Sequence, residues 1–213
     1  MGCSDSKDLK IEPWTGSDLR KEPYLGVESK ATASVNKQTN YYAKYKEWRG
    51  QQIISRSDYK DFRAMMDVEQ AKPNDDKRSK VWIDQCSCEE TTIKGPDGND
   101  LKMWIIKALK NKDEKDLVPV VNFHGGGAWC GHPLQDKWLA SRICVENRTC
   151  FFLVSFRLAP EFEYPTHVKD GMASVDFVYD NCEKYGCDKT KLIATGESGG
   201  SWMTMGTSIW MLR

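Results

Sequence analysis

The stretch 118–131, VPVVNFHGGGAWCG, constrains the fold of this 213-residue chain more than any other. It begins as a continuous apolar run, which is typical of a strand that is buried on both faces. It then changes abruptly to His-Gly-Gly-Gly at residues 124–127. Three glycines after a strand leave backbone N–H groups that a ligand can approach closely, because no side chain shields them. The sequence therefore predicts a buried strand that ends in a ligand-facing loop.

A second glycine-rich stretch, LIATGESGGS at 192–201, also begins as a strand. It contains the pattern Gly-x-Ser-x-Gly centred on Ser198, with Gly196 and Gly200 on either side. A serine on a sharp turn between a strand and a helix needs such neighbours, because bulky side chains would clash there. An ordinary serine in a glycine-rich turn is the simpler alternative. The strand before it and the apolar helix after it favour a serine nucleophile, with the first stretch as its oxyanion hole.

The order of the remaining segments indicates an α/β fold. Residues 81–94 and 101–109 are predicted to form a hairpin, with Gly-Pro-Asp-Gly at 95–98 as its turn. Strands at 117–123, 149–156 and 191–195 then alternate with amphipathic helices. This alternation implies parallel strands joined by right-handed crossovers. We therefore expect a mostly parallel sheet of about five strands with flanking helices.

Composition excludes several classes of function. The 31 basic residues balance 31 acidic ones, which argues against a nucleic-acid-binding protein. No apolar run is long enough to span a membrane. The eight cysteines are scattered, so buried or free thiols in a reducing compartment are favoured over disulfides. No metal-ligand cluster occurs, and the glycine loop lacks the Lys-Ser/Thr ending of a phosphate-binding loop. We expect no cofactor and no metal, and the sequence indicates no particular protein partner.

The first seven residues, MGCSDSK, match the pattern for N-myristoylation. Gly2 would be the acceptor after removal of Met1, and Ser6 occupies the diagnostic position. One myristoyl chain binds a membrane only marginally, so stable attachment needs a second anchor, which palmitoylation of Cys3 would supply. The alternative is an ordinary start methionine followed by small polar residues. The acylation hypothesis places the chain on the cytoplasmic face of a eukaryotic membrane; without acylation we expect it in the cytoplasm.

Three motifs in order resemble those of one known family. They are His-Gly-Gly-Gly at 124–127 with Gly131, then FRLAPE at 156–161 with Tyr-Pro at 164–165, then GESGG at 196–200. Together they resemble the hormone-sensitive-lipase-like branch of the α/β-hydrolase superfamily, which includes carboxylesterases and arylacetamide-deacetylase-like enzymes. The resemblance covers roughly residues 75–213. Glu197 departs conservatively from the family, whose members often have Asp at this position.

The resemblance implies a role for each matching residue. Ser198 matches the nucleophile that attacks a small-molecule ester, and the N–H groups of Gly126, Gly127 and Gly199 match the oxyanion hole. His124, with Gly125, matches the part of the motif that orders the glycine loop, and it is not the catalytic base of this family. The resemblance assigns no chemistry to the FRLAPE segment. Trp129, with Tyr41 and Tyr45, is either a pocket wall or simple packing.

The chain also departs from the family in its histidines. In this superfamily the triad runs Ser, then Asp or Glu, then His along the chain. All three histidines here, His124, His132 and His167, precede Ser198. We therefore expect an incomplete α/β-hydrolase fold with negligible ester-hydrolase activity and an exposed apolar strand at the sheet edge. The acidic residues at 170, 176 and 180 are interpreted as a solvated helix face. The alternative function is a non-catalytic, lipid-anchored binding or scaffold protein derived from an α/β hydrolase.

Three segments follow from these patterns. Residues 1–35 lack periodicity and are predicted to be a flexible tether that carries the acylation signal. Residues 36–75 are predicted to form helices that cap the site. One of these helices contains the aromatic residues at 41–48. A second begins near Ser57, and its buried side would hold Phe62, Met65, Met66 and Val68. Residues 76–213 would be the partial α/β-hydrolase domain.

Overall fold

The computed structural model describes residues 59–212, which lie within one compact unit, Ile54–Arg213. The predictions for the tether, for Gly2 and Cys3, and for the aromatic residues at 41–48 lie outside the described residues. The helices are α1 (Tyr59–Ala71), α2 (Lys77–Ile83), α3 (Lys137–Glu146), α4 (Thr166–Asn181) and α5 (Gly199–Met211). The strands are β1 (Cys86–Lys94), β2 (Asp100–Ala108), β3 (Val118–Phe123), β4 (Thr149–Val154) and β5 (Ile193–Gly196).

The five strands form one sheet in the order β1-β2-β4-β3-β5. β1 and β2 form the predicted antiparallel hairpin, and β2 also runs antiparallel to β4. From residue 118 onward the strands are parallel, as predicted, and β3 lies between β4 and β5. β3 and β4 occupy central positions because their side chains are apolar on both faces, so both faces must be covered. β5 forms one edge of the described sheet, and Ile193 on it is 49% exposed, as expected.

Helices cover both faces of this sheet. On one face α4 and α5 pack together over a core that includes Phe123, Phe152 and Met203. On the other face α2 and α3 cover a second cluster that includes Ile106 and Leu153. Burial of these side chains is the main favourable term in folding, at about 25 cal/mol per Å² of apolar surface removed from water. The two helical layers thus cover a sheet in which β3 is an inner strand and β5 is an edge strand.

The predicted first strand begins later than expected. Residues 77–83 form α2, and the strand starts at Cys86. The cause is local, because the Asp76 carboxylate accepts a hydrogen bond from the Arg78 N–H at 2.8 Å and caps the helix. Residues 81–83, which the sequence assigns to the first strand, are therefore helical.

The burial of two helices differs in part from the prediction. In α1, Met65 and Val68 are exposed, contrary to the prediction, whereas Met66 is half-buried together with Arg63 and Asp67. The side chain of Phe62 lies outside what the structure describes. In α4, Asp170 is fully buried and not solvated, while the acidic residues at 176 and 180 are exposed as expected. In both helices polar contacts add buried or half-buried positions that hydrophobic periodicity does not mark, and α4 still buries its apolar positions Val168, Val175 and Val178. Polar partners decide this outcome because an unpaired buried charge would be very costly.

The seven described cysteines are all free, and five of them are buried, which confirms the prediction of unpaired thiols for this part of the chain. Burial raises the pKa of the Cys144 thiol to about 12, so this thiol stays protonated and behaves as a small apolar group. No helix within residues 59–212 is both long enough and apolar enough to cross a bilayer.

Candidate active site

The sheet topology brings the two glycine-rich stretches together. β3 and β5 are parallel neighbours, and Phe123 is in register with Gly196. The C-terminal ends of both strands therefore lie side by side. His124 follows β3 there, and Glu197 follows β5. In open α/β sheets this carboxyl edge of the strands is where ligands bind. The pairing of β3 with β5 thus makes spatial neighbours of two stretches that are far apart in the sequence.

Ser198 lies on a strained turn between β5 and α5. Its backbone has φ of 51° and ψ of −115°, a conformation that costs a non-glycine residue roughly 1–3 kcal/mol. The turn is closed tightly, because a Cβ on Gly200 would overlap the Phe123 carbonyl oxygen and a Cβ on Gly196 would overlap Gly200. This arrangement leaves Ser198 exposed immediately before the first residue of α5.

The loop after β3 is held in a left-handed conformation over several residues. Gly126, Gly127, Ala128 and Gly131 all have positive φ, at 111°, 62°, 60° and 97°. A Cβ on Gly126 would overlap the backbone of Cys130, so only glycine fits this position. The loop closes on itself where the N–H of Cys130 donates to the Gly126 carbonyl at 3.1 Å. Its shape therefore depends on the glycines that the sequence singled out.

The structure brings the loop against the serine turn. A Cβ on Gly199 would lie 2.5 Å from the Gly127 nitrogen, and one on Gly125 would lie 3.8 Å from the Ser198 Cβ. The backbone N–H groups of Gly126, Gly127 and Gly199 donate no hydrogen bond to any acceptor within residues 59–212. The Gly199 N–H also belongs to the first turn of α5, where the helix dipole favours negative charge. Three unpaired donors thus lie beside one serine.

His124 lies inside the base of this loop. It is 2% exposed, its ring stacks on Phe156 at 4.4 Å, and its Nδ1–H donates to the Gly125 carbonyl at 2.8 Å. Burial lowers the pKa of His124 from its usual 6.5 to about 4, so the ring is neutral at pH 7. Gly131 packs directly on this ring, since a Cβ there would lie 2.8 Å from Nδ1. These contacts fit a loop-ordering residue.

None of the three histidines is bonded to Ser198, whose hydroxyl has no hydrogen-bond partner within residues 59–212. The Nδ1 of His132 accepts from the Leu134 N–H at 3.1 Å and starts the short helical turn that follows. His167 is buried between Tyr164 and Trp202, and neither of its ring nitrogens has a partner among the described residues. Burial lowers the pKa of both rings. The contacts of the described residues therefore supply no general base to the serine.

Two charged pairs beside the site were missed by the sequence analysis. Arg157 forms a bidentate pair with Asp170, with Nη2 to Oδ1 at 2.7 Å, and this pair fixes the FRLAPE segment to α4. Glu161 in the same segment is paired with Arg63 of α1 at 2.8 Å. The fork of Arg63 holds the pKa of the Glu161 carboxyl down, at about 2. The FRLAPE motif could have signalled an ion pair, but nothing in it named the partner.

Comparison with families of known proteins agrees with this geometry. Residues 120–213 match a family described as having the α/β-hydrolase fold. An arylesterase from Saccharolobus solfataricus is 35% identical over 91 residues, which are 42% of this chain and 29% of that protein. Human arylacetamide deacetylase-like 2 is 32% identical over 99 residues, which are 43% of this chain and 24% of that protein. The matched stretch spans between 20% and 29% of the length of these and the other similar curated relatives.

Solved structures give the same fold over a longer stretch. A bacterial heroin esterase superposes with a TM-score of 0.66 at 24% identity, covering 73% of this chain and 48% of that one. An esterase from Pyrobaculum calidifontis gives 0.62 at 25% identity, with coverage of 73% and 48%. The chain therefore corresponds to about half of these structures, and its fold is the α/β-hydrolase fold.

Proposed function

We propose that this chain, which belongs to the hormone-sensitive-lipase-like branch of the α/β-hydrolase superfamily, carries the nucleophile and oxyanion hole of a serine carboxylic-ester hydrolase. One observation carries the proposal: the N–H groups of Gly126, Gly127 and Gly199, which have no acceptor among the described residues, lie beside a serine on a strained turn. Donors in this arrangement suit the negative charge that develops on an ester carbonyl oxygen during attack.

The reaction follows from these positions. The Ser198 Oγ attacks the ester carbonyl carbon and gives up its proton to solvent water, since the described residues supply no base, and the carbonyl oxygen becomes an oxyanion within reach of the three N–H groups. When the oxyanion collapses, the C–O bond to the alcohol breaks, the alcohol takes up a proton, and the acyl group stays on the serine. Water then releases the acid. Removal of one such N–H donor typically costs about 3–4 kcal/mol of transition-state stabilisation.

The second part of the proposal is that this chain alone turns over slowly. Its support is that the Ser198 hydroxyl has no partner among the described residues, so none of the three histidines is hydrogen-bonded to it. Without a base, acyl transfer depends on the oxyanion hole and on binding, which retain only a small residual rate. We propose carboxylic esters with a small or medium acyl chain as substrates, in keeping with the esterases and lipase among its relatives.

We also propose that the chain is attached to a membrane through a myristoyl group on Gly2 and a palmitoyl group on Cys3. The support is the sequence pattern of residues 1–7 and the physical need for two acyl chains. Mass spectrometry of the N-terminal peptide from a eukaryotic host tests this proposal. Two acyl groups on that peptide are expected, and an unmodified Met1 or Gly2 would refute the anchor.

Hydrolysis of a short p-nitrophenyl ester tests the catalytic proposal. Wild-type chain should release p-nitrophenol slowly but faster than Ser198→Ala. Ser208→Ala is the matched control, because Ser208 lies on the same helix and its hydroxyl only donates to the Thr204 carbonyl. Equal rates in wild type and Ser198→Ala would contradict the proposal and favour a non-catalytic binding or scaffold protein. Fast multiple turnover lost in Ser198→Ala would contradict the absence of a base.

A further inference from the structure

One polar face of α1 contacts the glycine loop. Arg63 and Asp67 are one helical turn apart, so their side chains lie on the same face. The Nε of Arg63 donates to the Trp129 carbonyl at 2.7 Å, and its Nη2 donates to the Ala159 carbonyl at 2.6 Å. The Oδ1 of Asp67 accepts from the Gly131 N–H at 2.9 Å. This face replaces the apolar face that the sequence predicted, and it contacts backbone groups near the end of the loop.

The Arg63 side chain is itself fixed in place. Glu161 accepts from both terminal nitrogens of the guanidinium, at 2.9 and 2.8 Å, and also accepts from the Tyr59 hydroxyl at 3.0 Å. A carboxylate that contacts two nitrogens of a planar guanidinium fixes the orientation of that group. The direction of the Nε–H bond towards the Trp129 carbonyl is therefore also fixed. Arg63 therefore joins the glycine loop to the FRLAPE segment at a fixed point.

The loop needs such contacts because its own backbone conformation is unfavourable. Its positive φ angles include that of Ala128, a residue with a Cβ. Conformations of this kind persist only where the surrounding structure determines them from several sides. One support comes from the FRLAPE segment, where the Ala159 N–H donates to the Ala128 carbonyl at 2.9 Å. Arg63 and Asp67 give two further supports from α1, at residues 129 and 131.

We propose that Arg63 and Asp67 are positioning residues that hold the 125–131 loop so that the N–H groups of Gly126 and Gly127 face the oxyanion. The inference rests on the proposed function for its catalytic consequence. The two side chains act through the loop backbone and do not contact the substrate. Their loss displaces donors that act in the transition state, and a displacement of about 1 Å can cost on the order of a hundredfold in rate.

Hydrogen exchange of the loop gives the first test. Asp67→Ala removes the acceptor of the Gly131 N–H, whereas Asp67→Asn keeps an Oδ1 that can accept it. Glu69→Ala is the control, because Glu69 is an exposed acid on the same helix that pairs only with Lys72. Amide exchange in a peptide covering 125–133 should be about tenfold faster or more in Asp67→Ala, and near the wild-type rate in Asp67→Asn and Glu69→Ala. Urea unfolding of each variant separates a local from a global change.

Kinetics of p-nitrophenyl ester cleavage give the second test. Arg63→Lys and Asp67→Ala should lower the Ser198-dependent kcat by about 10- to 100-fold and leave KM within about twofold, since the donors act in the transition state. Asp67→Asn should restore most of kcat. Lysine cannot replace arginine at this site, because one ammonium cannot reach two carbonyls and a carboxylate in a fixed fork.

The outcomes separate the two proposals. If wild type shows no Ser198-dependent cleavage, the proposed function fails, and the exchange comparison alone decides whether α1 holds the loop. If wild type cleaves the ester but Asp67→Ala leaves exchange or kcat unchanged, the positioning role is overturned while the proposed function stands. Slower cleavage through a raised KM with an unchanged kcat would also overturn the role, because it would indicate lost ground-state binding.

Discussion

At the scale of single residues, the buried ring of His124 makes the stability of the fold depend on pH. Its ring is buried against Phe156 and is neutral, with a pKa lowered to about 4 by burial. In the unfolded chain the same ring titrates near 6.5. Between these two values the unfolded chain therefore binds a proton that the folded chain does not.

This difference predicts a loss of stability on mild acidification. Stability should be complete above about pH 6.5 and should fall as the pH drops towards 4, by on the order of 3 kcal/mol from this residue. The free energy of unfolding in urea, measured from pH 7.5 to 4.5, checks the prediction. The slope with pH should be smaller in His124→Asn than in wild type, and equal slopes would contradict it.

Other titrating groups can be told apart in the same experiment. Lowered pKa values of His132 and His167 add to the slope in the same window, so His124→Asn should reduce the slope and not abolish it. The paired carboxylates of Glu161 and Asp188, with pKa values near 2, lose their contribution only below about pH 4.5. Their effect lies outside the histidine window.

Residues with a strictly local cause were the predictable ones. Ser198, Gly126 and Gly127 could be found from the sequence because a tight turn or a left-handed φ requires particular residues in a row. Asp170 was misjudged because its partner, Arg157, is thirteen positions away and joins it only through folding. Asp67 could not be recognised because its partner is a backbone N–H, which leaves no trace in sequence. Arg63 could not be recognised because its partners are backbone carbonyls and a carboxylate 98 positions away.

At the scale of elements, the contact between α5 and β3 fixes the direction of the serine turn. Gly200, in the first turn of α5, leaves no room for a Cβ against the Phe123 carbonyl, while Gly206, further along the same helix, meets only the Val168 side chain, at 3.3 Å. Two glycines on one helix therefore have different structural reasons. Gly200 lets the helix approach the strand closely. Gly206 has only the movable side chain of Val168 near the position of a Cβ.

A matched pair of variants tests this difference. Gly200→Ala should lower the free energy of unfolding by about 2–3 kcal/mol or more, because a methyl group overlaps backbone that cannot move aside easily. Gly206→Ala should be neutral or should stabilise by up to about 1 kcal/mol through helix propensity. Urea unfolding at pH 7.5 measures both. A loss of the same size in both variants would contradict the account of the turn.

Strands were predicted correctly where both the hydrophobic pattern and the length of the segment were typical of a strand. β3 and β4 were recognised because a short, fully apolar run between turn residues fits a buried strand. The start of β1 was wrong because one capping residue, Asp76, converts a charged segment into α2. The buried face of α1 was wrong because its polar contacts outweigh the apolar positions Met65 and Val68, which remain exposed.

At the scale of the whole molecule, the sheet order explains how a divided sequence makes one site. Parallel pairing of β3 with β5 places two glycine-rich turns side by side at the carboxyl ends of these strands. Helix α1, which precedes the sheet in the sequence, contacts the first of these turns through Asp67. In the proposed site Ser198 would supply the attacking oxygen and three N–H groups would act as donors, while the described residues offer the serine no base. A site of this kind should accept an acyl group from an activated ester but release it slowly.

Trapping of the acyl-enzyme is the most direct measurement of this claim. The chain is incubated with excess p-nitrophenyl acetate, denatured in acid, digested, and analysed by mass spectrometry. We predict an acetyl ester on Ser198 that accumulates towards one per chain and that is absent in Ser198→Ala, because deacylation also lacks a base. No acetyl on Ser198, or equal acetylation of Ser198 and the exposed serines at 201 and 208, would contradict the account.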